Sequence, residues 1–449
     1  MKKLALILGA SLLAILVICT LSFQRFYQSV QYFPVTQFQS TLDFLPNELI
    51  DESHEFPVIT LPDYVDALQV QFPNIQGVSK DTLAQAILDE HIAILPWWEL
   101  SPMHRILRFP GEDLAGVPKG IETHAWQFKR VPQFDPEAVT EILVGGTVVL
   151  ARGVASRIEK ENDALWPWRG TAPLFRDADY AVVNFKSPLV RDFEAPKSRW
   201  SLYGPSSYVS GLTHAGIDLV GISGNHMGDA GKAGLLDTMS ILESAGIGHV
   251  GAGRDRREAY QSYVWTQDGH RYGFLAFNNV PGSIQKAAVN YEDGKGVGIA
   301  WIDTDAITAI QDTKAAVDTL IVLCNWGKEY IATPSARELN WAKKMVDAGA
   351  DIILGDQAHW VQNYDFYRRD KDLAYVAYGL GNFIFDQHWS IPTEEGILER
   401  LIFYNGDLFQ VQHIPVVFAH NNQVHPATGA RKEKILKQLY GLYAPKKKD

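Results

Sequence analysis

Short apolar runs alternate with helix-period stretches through the last two thirds of the chain. The runs are 142–150, 180–183, 219–222, 271–277, 319–323, 352–354 and 374–378. Between several of them apolar residues recur three and four apart, as in 234–245 and 338–348, which is the spacing of a helix with one buried face. Strands separated by helices predict the α/β class. Polar clusters close most of the runs: Gly146-Thr147 to Arg152, Asn184 to Pro188, Ser223 to His226, Asn325 to Glu329, Gly355 to His359 and Gly379 to Phe383. An open α/β sheet gathers such positions on one edge, where active sites form. Asn225 and His226 sit just before the 234–245 helix; Asn offers a neutral oxygen to a metal, and His a nitrogen ligand or a proton donor. The plainer role for both is to satisfy the backbone of the turn. Asp229 is placed to cap the helix that starts near Ala230.

The pattern before 141 is different. Residues 56–133 read as a separate unit, with a helix over 80–89, an apolar run at 91–96 ending in proline, and a Pro/Gly-rich stretch at 109–120. The stretches 92–98 and 70–78 resemble part of a periplasmic solute-binding domain. Two prolines interrupt 131–136, which marks a linker. Residues 4–22 are almost wholly apolar and follow Lys2 and Lys3. That length suits a membrane-spanning helix, and the lysines predict a cytoplasmic N-terminus with the body outside. No small-x-small cleavage site follows, and Ile18 before Cys19 does not fit a lipoprotein signal. The expected division is a membrane anchor at 1–26, a smaller α/β or α+β domain at 27–136, the main domain at 137–420, and a helix with a basic tail at 421–449.

Composition narrows the function. A hydrophobic fraction of 46% with 12 Trp belongs to a folded chain. A net charge of −11 excludes general nucleic-acid binding. The two cysteines, Cys19 and Cys324, fall in separate apolar runs and predict no disulfide.

Four motifs in order carry a resemblance: NHxxDxGxxGLLDT at 225–238, WGxE at 326–329, AGAD through GxxxH at 348–359, and LGNF at 380–383. Together they resemble the CapA family of capsule and poly-γ-glutamate synthesis proteins, over about 141–417. The resemblance implies a calcineurin-type metallophosphatase-like α/β sandwich, with two sheets flanked by helices. It also implies metal ligands at the strand ends, and here this sequence departs from the family. Thr147 stands where the family has Asp, Lys186 where it has Glu, and Asn325 where it has His. Asp356 replaces the first His of a pair and Ala358 the intervening Pro, while Asn225, His226 and His359 remain.

These exchanges remove about three units of negative charge from a two-metal site, and Asp356 restores about one. An ammonium beside a divalent cation is repelled in a partly desolvated cleft. Lys186 then either takes the cation's place and pairs with Asp356, or binds an anionic substrate as a point charge. The expected cofactor is therefore none, or a single divalent metal on Asn225, Asp356 and His359. His226 and Lys186 are the candidate catalytic groups; Thr147, Arg152, Asn325 and Glu329 are the candidate substrate contacts. Arg152 also suits a helix end, and Glu329 a structural ion pair. With the single-pass anchor and outside body read from the N-terminal run, the resemblance implies a protein acting in synthesis, export or attachment of an anionic cell-surface polymer such as poly-γ-glutamate. Its partners would be the polymer or its synthesis machinery, with no nucleic acid. The alternatives are a phosphoester or amide hydrolase with an altered site, using His226 as acid/base, and a solute-binding receptor built on both domains.

Overall fold

The computed structural model describes residues 134–283, 295–369 and 372–442, and before them 27–37, 58–61, 65–69, 74–79, 92–106 and 121–126, with residues 63 and 445 singly. The expected membrane anchor and the expected 80–89 helix lie outside the described residues. The chain divides into two compact units, 1–137 and 138–449.

In the first unit Tyr27–Gln37 runs antiparallel to Ile92–Pro96, His104–Ile106 and Ile121–Trp126. Val58–Thr60 lies parallel to Ile92–Pro96 and to Gln76–Gly77. This mixed six-stranded sheet buries Ile59, Leu61, Ile75, Ala93, Ile94 and Leu95.

The second unit is an α/β sandwich with two main sheets. One has the order Gly248–Val250, Leu219–Gly221, Tyr180–Phe185, Val139–Val148, Glu395–Tyr404, Asp407–Phe418 and Val424–Pro426. Its first four strands are parallel and its last four neighbours antiparallel from Val139–Val148 onward. The other sheet has four parallel central strands, His270–Asn278, Thr319–Asn325, Ile352–Gly355 and Asp372–Ala377, between two antiparallel edges. Tyr180–Phe185, Thr319–Asn325 and Ile352–Gly355 are wholly buried, as parallel strands covered on both sides must be. The sheets face each other: the Tyr272 and Phe403 rings lie 5.0 Å apart, and the Tyr375 hydroxyl donates to Glu399 Oε1 at 2.9 Å. At Gly221 an added Cβ would stand 2.9 Å from Leu323 Cδ1, so glycine is needed where the sheets approach.

Helices cover the outer faces. Gly231–Ser244 buries Leu235, Met239 and Leu242 at three- and four-residue spacing against the first sheet. Ala336–Ala348 covers the second sheet with Ala342, Met345 and Val346. A capping box of Ser335 and Glu338 begins it and Gly349, at φ 122°, ends it.

The helix expected within 421–449 is Gly429–Leu439, which buries Ile435, Leu436 and Leu439 in the second unit, and before it Val424–Pro426 extends the first sheet. One expectation is corrected. Asp229 does not cap its helix. Ala230 holds the N-cap position without a side-chain bond. The Asp229 carboxylate instead accepts from Leu202 N at 2.7 Å, Ser283 Oγ at 2.6 Å and His226 Nδ1 at 2.8 Å, tying three loops together.

Candidate functional site

The C-terminal ends of the parallel strands converge on a buried ion pair. In Val139–Val148 the ladder slips between Gly145 and Thr147, so one extra residue, Gly146, forms a bulge that re-aims Thr147. Only glycine fits there, because a Cβ on Gly146 would stand 2.5 Å from Gly381 O. Lys186 follows the next strand, its amide donating to Val148 O at 2.9 Å. Its stem passes Gly224, where a Cβ would meet Lys186 Cγ at 2.8 Å. Asp356 follows Ile352–Gly355, its amide donating to Cys324 O at 3.1 Å.

The three side chains meet. Thr147 Oγ1 donates to Asp356 Oδ2 at 2.8 Å, and Lys186 Nζ lies 3.2 Å from the same oxygen. Asp356 Oδ1 accepts from Gln357 N at 2.7 Å. Lys186 Nζ also donates to Gln357 Oε1 at 3.0 Å, and Gln357 Nε2 donates to Glu329 Oε1 at 3.1 Å. Burial pushes the Lys186 ammonium below its ordinary value, and the Asp356 carboxylate opposes that shift. Of the two roles open to Lys186, the geometry matches the pairing with Asp356.

On one side His359, in left-handed backbone at φ 57°, sets Nδ1 2.8 Å from Asn382 Oδ1 and Nε2 3.8 Å from Glu329 Oε1. Asn382 is itself fixed by donating to Thr393 O at 2.9 Å and to Gln387 Oε1 at 3.2 Å. The neighbouring His359 imidazole holds the Glu329 carboxyl below its usual range, helped by the charges of Lys186 and His226. Tyr330 stacks on His359 with ring centroids 5.7 Å apart, and burial raises its hydroxyl to about 12.

On the other side lies a chain of asparagines. Asn325 Nδ2 donates to Asn278 Oδ1 at 2.5 Å and to Asn225 Oδ1 at 3.3 Å. Asn325 Oδ1 and Asn184 Nδ2 are buried and have no hydrogen-bond partner among the described residues. His226 is about a third exposed and held through Nδ1 by Asp229, which leaves Nε2 for another partner.

Thr147, Lys186, Glu329, Asp356 and His359 therefore form one bonded cluster, and Asn225 and Asn325 a second. Arg152 joins neither. It opens the helix Arg152–Glu161 at φ 52°, its guanidinium grips Asp386, and it lies 5.0 Å over the Phe385 ring. Thr147 is fully buried, its hydroxyl held by Asp356, so it presents nothing to a substrate from outside. Sequence reasoning did not single out Gln357 and Asn278. Gln357 sits inside the 355–359 motif between two chosen residues, and Asn278 ends a strand directly opposite Asn325, so position alone marked both.

An α/β sandwich with buried polar side chains at the strand ends is the class that fold and site define. Residues 141–387, more than half of the chain, match the family model described as "Bacterial capsule synthesis protein PGA_cap", and the chain belongs to that family. It is 26% identical over 310 residues to "Capsule biosynthesis protein CapA" of Bacillus anthracis, covering 68% of this chain and 73% of that one. It is 27% identical to "PGA biosynthesis protein CapA" of Bacillus subtilis (strain 168), covering 65% and 74%. Against a Mycobacterium tuberculosis "Probable polyglutamine synthesis accessory protein" identity is 25%, covering 60% and 75%. Among solved structures, NAD nucleotidase of Haemophilus influenzae aligns at 14% identity and a TM-score of 0.37, covering 68% of this chain and 62% of that one. A likeness that distant carries no argument about chemistry.

Proposed function

We propose that this chain is a membrane-anchored, extracytoplasmic member of the capsule-synthesis apparatus, serving synthesis, export or attachment of an anionic polymer such as poly-γ-glutamate. Its sandwich is metallophosphatase-like, and its strand-end site is a metal-poor version that works in binding or assembly. The relatives' names support the polymer, and the apolar run after Lys2 and Lys3 supports the anchor.

One observation carries the metal-poor reading: the Lys186 ammonium lies 3.2 Å from the Asp356 carboxylate. A two-metal centre needs anionic or imidazole ligands with free lone pairs. Here Asp356 Oδ2 serves Thr147 and Lys186, and Oδ1 serves the Gln357 amide. Asn225 Oδ1 accepts from Asn325, whereas His359, whose Nδ1 donates to Asn382, keeps Nε2. A divalent ion on these residues would have to displace or deprotonate Lys186, so they do not fit the group.

The test pairs two measurements on the purified full chain in detergent. Poly-γ-glutamate binding is followed by sedimentation, and hydrolysis of a generic phosphoester is assayed with added Mg²⁺, Mn²⁺ or Zn²⁺. Binding without turnover is expected. Turnover that needs both metal and Asp356 would replace this reading with that of an active hydrolase.

One feature favours the hydrolase as second reading. Asp229 orients His226 as a carboxylate orients a general acid/base, with Nε2 left accessible. In that case His226→Ala would abolish turnover while leaving polymer binding intact. For the anchor, a C-terminal reporter active only in the cytoplasm should give no signal; a bright fusion would contradict the topology.

A further inference from the structure

Away from the strand-end cluster, His388, Glu394 and His420 bring one ligand atom each to within 4.8 Å of one another. They come from three separate segments. His388 follows the strand Asn382–Ile384, Glu394 ends the 3-10 turn Ile391–Glu394, and His420 lies in the turn after Asp407–Phe418. Two of the three are held in place. His388 stacks on Phe418 with centroids 5.2 Å apart and planes at 12°. The turn bearing Glu394 is pinned by Thr393 Oγ1, which donates to Gln387 O at 2.6 Å and Ser390 O at 2.8 Å.

The hydrogen bonds fix which nitrogen of His388 faces the carboxylate as a lone pair. Asn422 donates through Nδ2 to Gly153 O at 2.7 Å, so its Oδ1 is the atom 3.0 Å from His388 Nε2. An amide oxygen accepts, so Nε2 carries the proton. In a neutral ring Nδ1 then presents a lone pair to Glu394 Oε1, 3.1 Å away. Two acceptors at that distance repel unless a cation or a second proton lies between them. The same Oε1 lies 3.6 Å from His420 Nε2. Edges of 3.1 and 3.6 Å bracket the roughly 3.3 Å between ligands of a tetrahedral ion with bonds of about 2.0–2.1 Å. Arg431 approaches the other oxygen, Oε2, at 3.6 Å, which leaves Oε1 for the ion.

We propose that His388 Nδ1, Glu394 Oε1 and His420 Nε2 form a binding site for a Zn²⁺-type divalent transition metal. Asn422 is the outer partner that sets the His388 tautomer, as such partners do for metal-bound imidazoles. Two imidazoles with one carboxylate suit zinc rather than calcium or magnesium, which prefer oxygen. His420 is 80% exposed, so it swings into place at little cost and leaves a fourth position open to solvent or a partner's side chain.

The experiment measures Zn²⁺ bound to the full chain in detergent by equilibrium dialysis, with Co²⁺ absorption as a report of tetrahedral coordination. One equivalent is expected in the parent chain and in His359→Ala. A loss of affinity of about tenfold or more is expected in His420→Ala and in Glu394→Gln, and a smaller loss in Asn422→Ala. His420 is exposed and Glu394→Gln is isosteric, so both variants should keep the parent circular dichroism, which rules out misfolding as the cause. A parent chain that binds no Zn²⁺, or variants of His420 and Glu394 that bind it as the parent does, would overturn the site.

Discussion

Lys186 and Asp356 form an ion pair at 3.2 Å with side-chain exposures of 3% and 0%. Each follows a parallel strand of a different sheet, so the pair joins the two halves of the sandwich at the end where the polar residues gather. Removing one partner of such a pair strands a buried charge, whereas removing both leaves none. Lys186→Met should therefore destabilise the chain by about 3–5 kcal/mol, and the double change Lys186→Met with Asp356→Asn by clearly less than the two single changes added. Urea unfolding of the four proteins checks this; additive losses would show that the two groups do not interact.

His359 owes its place to Asn382, and Asn382 follows Gly381, whose φ is +72°. A Cβ at Gly381 would also stand 2.6 Å from Glu395 O. Gly381→Ala should cost about 1–3 kcal/mol. It should also move the His359 ring, visible as a shift of its imidazole resonances in nuclear magnetic resonance spectra. Unchanged stability and resonances would mean the turn tolerates a side chain.

Glu329 is held below its ordinary range chiefly by His359. A carboxyl whose folded value lies below its unfolded one stabilises the fold above the unfolded value, near 4.3, and loses that contribution as pH falls through the folded value. His359→Gln should return Glu329 toward its ordinary range and flatten the acid limb of stability against pH. Because the Glu329 side chain is about half exposed, the effect is small and added salt should reduce it. A carboxyl titration unchanged in His359→Gln would refute the assignment.

What the sequence made legible follows one physical rule. Apolar runs mark buried strands, and the polar residue that ends each run must lie on the same edge as its neighbours. Thr147, Lys186, Asn325 and Asp356 are readable on that basis, while charge left Lys186 two partners, Asp356 or an anionic substrate, and the geometry matches the first. Pairings made by loops are not readable. Asp229 was assigned to its own helix, yet its oxygens go to Leu202, Ser283 and His226. Nothing local to Arg152 points to Asp386, and nothing in the spacing of His388, Glu394 and His420 shows that three turns bring them together. The final strand Val424–Pro426 is only three residues long, too short for its alternation to be read.

The central claim is that Lys186 occupies the strand-end site in place of metal. Divalent-metal content of the His420→Ala chain, in which the separate His388–Glu394–His420 cluster is removed, tests it most directly. The same analysis is made after adding Thr147→Asp and Lys186→Glu to that background. The account predicts no tightly bound metal in the first protein and a gain in affinity in the second, because the two changes restore about three units of negative charge. Two tightly held metals in the first protein, lost when Asp356 or His359 is replaced, would contradict it.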